Sequence, residues 1–209
     1  AAAATTVEQG HDAIKLDPFL EVAPYHTSYA EGQISAAGEE LGCDIVAAIR
    51  EAVGDQVEIL IDAHGHFNVP TAVRLGNRLY EESLIGWFEE PLPPENNSAL
   101  QSVREQLAAP LCTGERLFTR WDFVPIFEKR LADYVMPDVV WTGGISELKK
   151  IATLAESYYI PISPHNAQGP GQILAGAHVA MNVPNFYRLE HAISCKPAYD
   201  HFLQAPLNW

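Results

Sequence analysis

The sequence predicts an α/β protein whose strands run parallel and close into a barrel. Three observations carry that expectation. Short apolar, β-branched segments alternate with helical ones along most of the 209 residues. Each short segment ends in a polar residue, and Asp62, Glu89, Glu115, Asp138, His165 and Glu190 recur 23 to 27 residues apart, the length of one strand-plus-helix unit. A chemically capable residue at every strand end fits a barrel, whose sites gather at the C-terminal face, whereas an open doubly wound sheet places ligands at its switch point. No glycine-rich phosphate loop of dinucleotide or P-loop type is present.

Taken in order, residues 1–9 read as a helical remnant closed by Gly10, followed by a strand at 13–16 carrying Lys15 and leaving through Asp17-Pro18. The four opening alanines resemble the middle of a helix, so the chain is expected to begin inside a domain. Pro18 to Ser35 has no period and reads as a long irregular loop. A helix is expected over 34–53, closed by Gly54, and leads into a strand at Val57. The alternation then gives helices at 70–82, 97–106, 121–129, 145–158 and 171–182, and strands at 85–88, 110–113, 134–136, 160–163 and 186–189.

Composition narrows the partners. Hydrophobic residues make up 47% of the chain and charged ones 19%, enough to bury a large core. Against 27 Asp and Glu stand 13 Lys and Arg, a formal charge of −14 that repels nucleic acid and anionic membranes. Cys43, Cys112 and Cys195 are odd in number and lack metal-type spacing, as expected of reduced thiols in a cytoplasmic protein. No apolar run reaches the roughly 18 to 20 residues that cross a bilayer.

Val57 to Phe67 is the stretch where chemistry first appears. Ile59, Leu60 and Ile61 read as a buried strand that stops at Asp62, Ala63, His64, Gly65, His66. If the pleat persists two residues further, Asp62 and His64 share one side and offer a carboxylate and an imidazole to the same space. A helix cap plus a surface histidine fits the same residues. In a closed barrel Asp62, Glu89 and Glu115 come from consecutive strands about 4.8 Å apart. Like charges about 4 Å apart repel by about 4 kcal/mol at an effective dielectric near 20, so protons or a divalent cation must relieve them. Carboxylate-only ligation suits Mg²⁺ before zinc.

The segments AIKLDPF, LIDAHGHF, WFEEPLPPEN, TGERLFTRWDF, PDVVWTGGISELKKIA, SPHNAQGP and LEH occur in that order over nearly the whole chain. Together they resemble the enolase superfamily, in its mandelate racemase-like branch, and within it the galactonate and gluconate type of acid sugar dehydratase. The resemblance implies a modified TIM barrel of (β/α)7β type, with residues 1–209 a partial C-terminal barrel domain spanning strands two to eight. The first strand and the capping domain of the family have no counterpart in the sequence. It implies Asp62, Glu89 and Glu115 as Mg²⁺ ligands, with Glu90 in support. It further implies His165 as general base oriented by Asp138, Glu190 as the acid that hydrogen-bonds the enolate, His64 as the dehydratase histidine and Lys15 as the contact to the substrate carboxylate.

His66, Arg116, Trp141 and Asn166 adjoin these positions and are candidates for touching a polyol. Trp87 and Phe88 read as packing beneath the barrel mouth, and His178, His191 and His201 as core or surface. One departure stands out: racemases of this branch carry Lys-x-Lys on the second strand, and this chain has Lys15-Leu16-Asp17. The expected activity is therefore Mg²⁺-dependent dehydration of a small sugar acid by a homo-oligomer, with a racemase or epimerase and a non-catalytic barrel remnant as the alternatives.

Overall fold

The structure, a computed structural model, describes residues 1–20 and 32–206. Most of the loop expected over 18–35 lies outside the described residues. The chain divides into two compact units, Ala1–Cys112 and Thr113–Trp209.

The first unit opens with α1 (Ala2–Glu8) and β1 (Ala13–Leu16), the latter matching the expected strand residue for residue. α2 (Ala36–Val53) begins where the Ser35 side chain accepts the Gly38 N–H, two residues later than expected, and ends at Gly54 with φ +74°. β2 (Glu58–Asp62) is buried from Ile59 onward, as a parallel strand covered on both faces must be. α3 (Val69–Ser83) is capped by Asn68, which accepts from the Thr71 N–H, and α4 (Asn97–Arg104) by Asn96. Between them runs β3 (Trp87–Glu89), and β4 (Leu111–Thr113) carries the chain across the division.

β1, β2, β3 and β4 pair in parallel in that order, and Asp62 is the register partner of Glu89. Two strand-end acids thereby stand side by side. Ile59, Ile61, Phe88, Leu75 and Leu111 form a fully buried core, each side chain contributing about 1.5–3 kcal/mol by leaving water.

At the opposite end of the strands, Arg50 in the last turn of α2 gathers main-chain carbonyls. Its Nη1 donates to Gly54 (2.8 Å) and Val57 (2.6 Å), its Nε to Ser83 (3.0 Å) and its Nη2 to Leu84 (3.3 Å). The end of α2, the approach to β2 and the end of α3 are thus held by one guanidinium.

The second unit contains α5 (Thr119–Glu128), β5 (Tyr134–Val135), α6 (Ile145–Ser157) and α7 (Pro170–Ala180). A 3-10 turn at Ile193–Cys195 runs into α8 (Lys196–His201). The Met136 N–H donates to the Thr113 carbonyl, continuing the parallel pattern. The strands expected at 160–163 and 186–189 reduce to single parallel bridges, Val135 to Ile162 and Ile162 to Phe186, with a further bridge from Asp138 to His165. Pro161 and Pro164 explain the shortening, since neither has an N–H to give a ladder. Phe123, Phe127, Leu148, Ile151 and Ile162 are buried here. Among the described residues, no helix is long and apolar enough to cross a membrane.

Candidate active site

The first unit groups Lys15, Asp62, His64 and Glu89 of the expected residues. Lys15 Nζ donates to Asp62 Oδ2 at 2.9 Å and to Glu89 Oε2 at 3.1 Å, so an ammonium lies between the two paired acids. The expectation that only protons or a divalent cation could relieve these carboxylates is corrected: β1 brings a third source of positive charge. Register explains its arrival, because Lys15 pairs with Leu60 and its long stem spans the two further residues to Asp62. Burial by itself would raise the Asp62 pKa; the Lys15 and His64 charges and the hydrogen bonds they donate outweigh it and hold the carboxyl below the usual carboxylate range. Trp87 is more than packing, since its Nε1 donates to Glu89 Oε2 at 3.2 Å and fixes the carboxylate that Lys15 also meets.

His64 reaches Asp62 by a route other than the pleat. β2 ends at Asp62; His64 has φ +46° and Gly65 φ +68°, and Asp62 Oδ1 accepts the His64 N–H at 3.0 Å. The strand geometry expected to persist gives way to a turn closed by the Asp side chain. The turn still leaves His64 Nε2 3.4 Å from Asp62 Oδ2. On its other side His64 Nδ1 lies 2.8 Å from Asp17 Oδ2. From the sequence Asp17 is only a strand exit and the position of a missing lysine. Its partner lies 47 positions away, and no local pattern announces that pairing. His66 is buried with its ring centroid 6.2 Å from that of His64.

The second unit groups His165 with three of the expected acids. His165 Nδ1 lies 2.7 Å from Asp138 Oδ2, and His165 Nε2 lies 3.4 Å from Glu115 Oε2 and 3.7 Å from Glu190 Oε2. Asp138 is fully buried and held from several directions. Its Oδ1 accepts the Val140 and Trp141 N–H groups, while Gln172 Nε2 donates to Oδ2 at 2.5 Å and to the His165 carbonyl at 3.2 Å. Gln172, from α7, was not anticipated; nothing in its neighbourhood along the chain distinguishes it from any buried helical amide.

Asn166 donates its main-chain N–H to Glu190 Oε2 at 3.0 Å, and its buried side chain donates to the Pro164 carbonyl, so it braces Glu190. Trp141 is half exposed and meets Phe118 edge to face at 5.9 Å; Arg116 is partly buried.

Chemically, each unit offers an imidazole with Nδ1 on a buried aspartate and Nε2 toward further carboxylates. A carboxylate on Nδ1 fixes ring orientation and tautomer, leaving Nε2 for proton transfer.

Comparison with known proteins identifies the family of the chain. A family profile described as "Enolase C-terminal domain-like" matches residues 1–209. The chain is 35% identical over 185 residues to a D-xylonate dehydratase of Haloferax volcanii, covering 88% of this chain and 44% of that protein. It is 36% identical over 184 residues to a D-gluconate dehydratase of Thermoproteus tenax, covering 88% and 35%. The chain thus spans under half the length of these curated relatives. A solved mandelate racemase/muconate lactonizing enzyme-like protein from Rubrobacter xylanophilus superposes with a TM-score of 0.90 at 44% identity, over 99% of this chain and 53% of that one. A protein of the same description from Roseovarius gives 0.89 at 34% identity, over 97% and 50%.

Proposed function

Because the chain belongs to the enolase C-terminal domain-like family, whose fold is a modified TIM barrel, we propose that it is the barrel portion of a divalent-metal-dependent sugar acid dehydratase. The observation that carries this proposal is the pair of aspartate-held histidines, His64 on Asp17 and His165 on Asp138, each facing a carboxylate of the expected ligand set. β-Elimination of water needs one group to take a proton and another to give one, and this chain supplies a built candidate for each. The names of the relatives, a D-xylonate and a D-gluconate dehydratase, point to aldonic acids as the substrate class.

Asp62, Glu89 and Glu115 would hold the metal. Each offers a carboxylate oxygen, and an all-oxygen donor set fits Mg²⁺. Asp62 and Glu89 are register partners, and Glu115 follows β4, whose Cys112 is the register partner of Glu89. Bound there, the ion would supply Lewis-acid stabilisation of the charge that builds on the substrate carboxylate.

The residues of the chain divide the remaining work. Lys15 donates to the substrate carboxylate and offsets part of its charge. His165 Nε2 takes the proton from the carbon beside that carboxylate while Asp138 holds Nδ1, a general-base contribution of about 10²- to 10⁴-fold. Glu190 hydrogen-bonds the enolate oxygen. The electron pair left on the α-carbon forms the new C=C bond as the C–O bond to the β-hydroxyl breaks. His64 gives that hydroxyl the proton with which it leaves as water. Ketonisation of the enol yields a 2-keto-3-deoxy acid. The proposal extends to a cytoplasmic homo-oligomer acting on a small sugar acid.

Two histidines of this kind also fit an epimerase that removes a proton on one face and returns it on the other. Incubating the full-length protein with Mg²⁺ and a panel of aldonic and aldaric acids in D₂O separates the two. Formation of 2-keto acid supports dehydration, with His165→Asn abolishing α-proton exchange and His64→Asn retaining exchange while losing elimination. Recovery of deuterated, inverted acid would establish the epimerase instead. Absence of both reactions, with no Mg²⁺ binding by calorimetry, would mean a non-catalytic barrel.

A further inference from the structure

We propose that Asp17 is the positioning residue for His64 and that it fits this histidine to protonate the departing hydroxyl; the inference rests on the dehydratase reading above. The carboxylate of Asp17 is fixed at both oxygens. Oδ1 accepts the Phe19 N–H at 2.8 Å, and Oδ2 lies 2.8 Å from His64 Nδ1, with the Asp17 side chain only 3% exposed. A held acceptor on Nδ1 sets the ring of His64 and keeps the Nδ1 proton in place.

Phe19, whose N–H Asp17 accepts, is itself held by its ring. Phe19 is fully buried and meets Phe67 edge to face at 5.3 Å, linking the segment after β1 to the segment after β2. Gly42 in α2 provides the room: a Cβ there would collide with the Phe19 ring. Asp17, Phe19, Phe67 and His64 therefore form one packed assembly in the first unit, whose exposed end is the imidazole, 26% exposed.

The consequence for the reaction is a defined proton path. As the bond from the β-carbon to the hydroxyl oxygen breaks, its electron pair goes to oxygen, and the proton on His64 Nε2 moves to that oxygen to complete water. What remains is the neutral imidazole with its proton on Nδ1, the form that the Asp17 carboxylate accepts from. Before the next turnover Nε2 takes up one proton from solvent, and no ring rotation or tautomer change is needed. In this scheme Asp17 does not touch the substrate.

The test uses Asp17→Asn and Asp17→Glu in the full-length protein, with folding checked by far-UV circular dichroism. Asparagine keeps an acceptor for the Phe19 N–H but turns a donor toward His64 Nδ1. Elimination is expected to fall about 10- to 100-fold, the usual effect of removing an orienting partner. α-Proton exchange in D₂O and the substrate KM should stay close to those of wild type. In ¹⁵N-detected spectra, with His64→Asn as the assignment control, the wild-type Nδ1 of His64 should carry a proton and the Asp17→Asn protein should carry it on Nε2. Asp17→Glu, which retains the carboxylate, should recover at least part of the elimination rate.

Unchanged elimination in Asp17→Asn would overturn the proposal. An equal loss of exchange and elimination would also overturn it, because that pattern marks general damage. If the wild-type protein neither exchanges nor eliminates, the dehydratase reading fails, while an unchanged nitrogen spectrum in Asp17→Asn would separately remove Asp17 from the role assigned to it.

Discussion

Replacing Lys15 by methionine isolates what its ammonium does between Asp62 and Glu89. The stem keeps most of its volume, but the charge 2.9 and 3.1 Å from the two acids disappears. Two carboxylates at about 4 Å repel by about 4 kcal/mol at an effective dielectric near 20. Breaking a buried ion pair by removing one partner costs about 3–5 kcal/mol, and Asp62 and Glu89 are essentially inaccessible to solvent. A loss of that size is expected for Lys15→Met without divalent ions, read from urea unfolding of the full-length protein in EDTA at neutral pH. Saturating Mg²⁺ should return much of it, since a cation bound to the folded state alone stabilises by mass action.

The pH dependence has a definite sign. Lys15 helps hold the folded-state pKa of Asp62 below its unfolded value, so this stabilisation is complete above the unfolded value and is lost as pH falls through the folded one. The gap between Lys15→Met and wild type should accordingly close in acid. A deficit under about 1 kcal/mol in EDTA at neutral pH would refute the reasoning, because the buried acids would then have been compensated by something other than Lys15.

Three smaller predictions follow from the same geometry. Trp87→Phe removes the donor to Glu89 Oε2 and should weaken Mg²⁺ binding by about 10- to 100-fold in isothermal titration while the barrel stays folded. Gly42→Ala drives a methyl group into the Phe19 ring and should cost about 1–3 kcal/mol, seen as a lower melting temperature. Glu147, in the first turn of α6, accepts the Arg120 main-chain N–H, which holds its carboxyl below the usual range, and pairs with the Arg120 guanidinium at 2.9 Å. Glu147→Gln should cost about 1 kcal/mol at neutral pH, and the difference should vanish as pH falls through the depressed folded value, as thermal melts across that range would reveal.

The elements legible in the sequence are those whose signals sit in adjacent residues. β1 was readable to the residue because Ala13 to Leu16 is bounded by polar residues on one side and Asp17-Pro18 on the other. α2 and α3 could be placed from their periodicity and closing residues, and the caps at Ser35 and Asn68 trimmed or extended them by a residue or two. Asp62 and Glu89 were visible because each ends a strand, and Glu115 and Asp138 because each follows one by two or three residues.

What escaped depends on where a turn sends a side chain. His64 and Gly65 take positive φ, which no pattern of apolar residues encodes, and that turn decides that the imidazole meets Asp17. Trp87 looked like packing because an indole in a buried strand is mostly that, and only the position of Glu89 two residues on gives its N–H a use. At 160–163 the apolar residues predict a strand, but Pro161 and Pro164 lack the N–H groups a ladder needs and leave single bridges.

The four carbonyls drawn onto Arg50 fasten the first unit at the rim where its strands begin, whereas Lys15, Asp62, His64 and Glu89 occupy the rim where they end. Cohesion and chemistry are thereby lodged at opposite poles of the same strands. Loops on the reactive pole can be exchanged, lengthened or recharged to suit another acid while the anchoring guanidinium keeps its grip, which leaves the scaffold open to new substrates without being rebuilt.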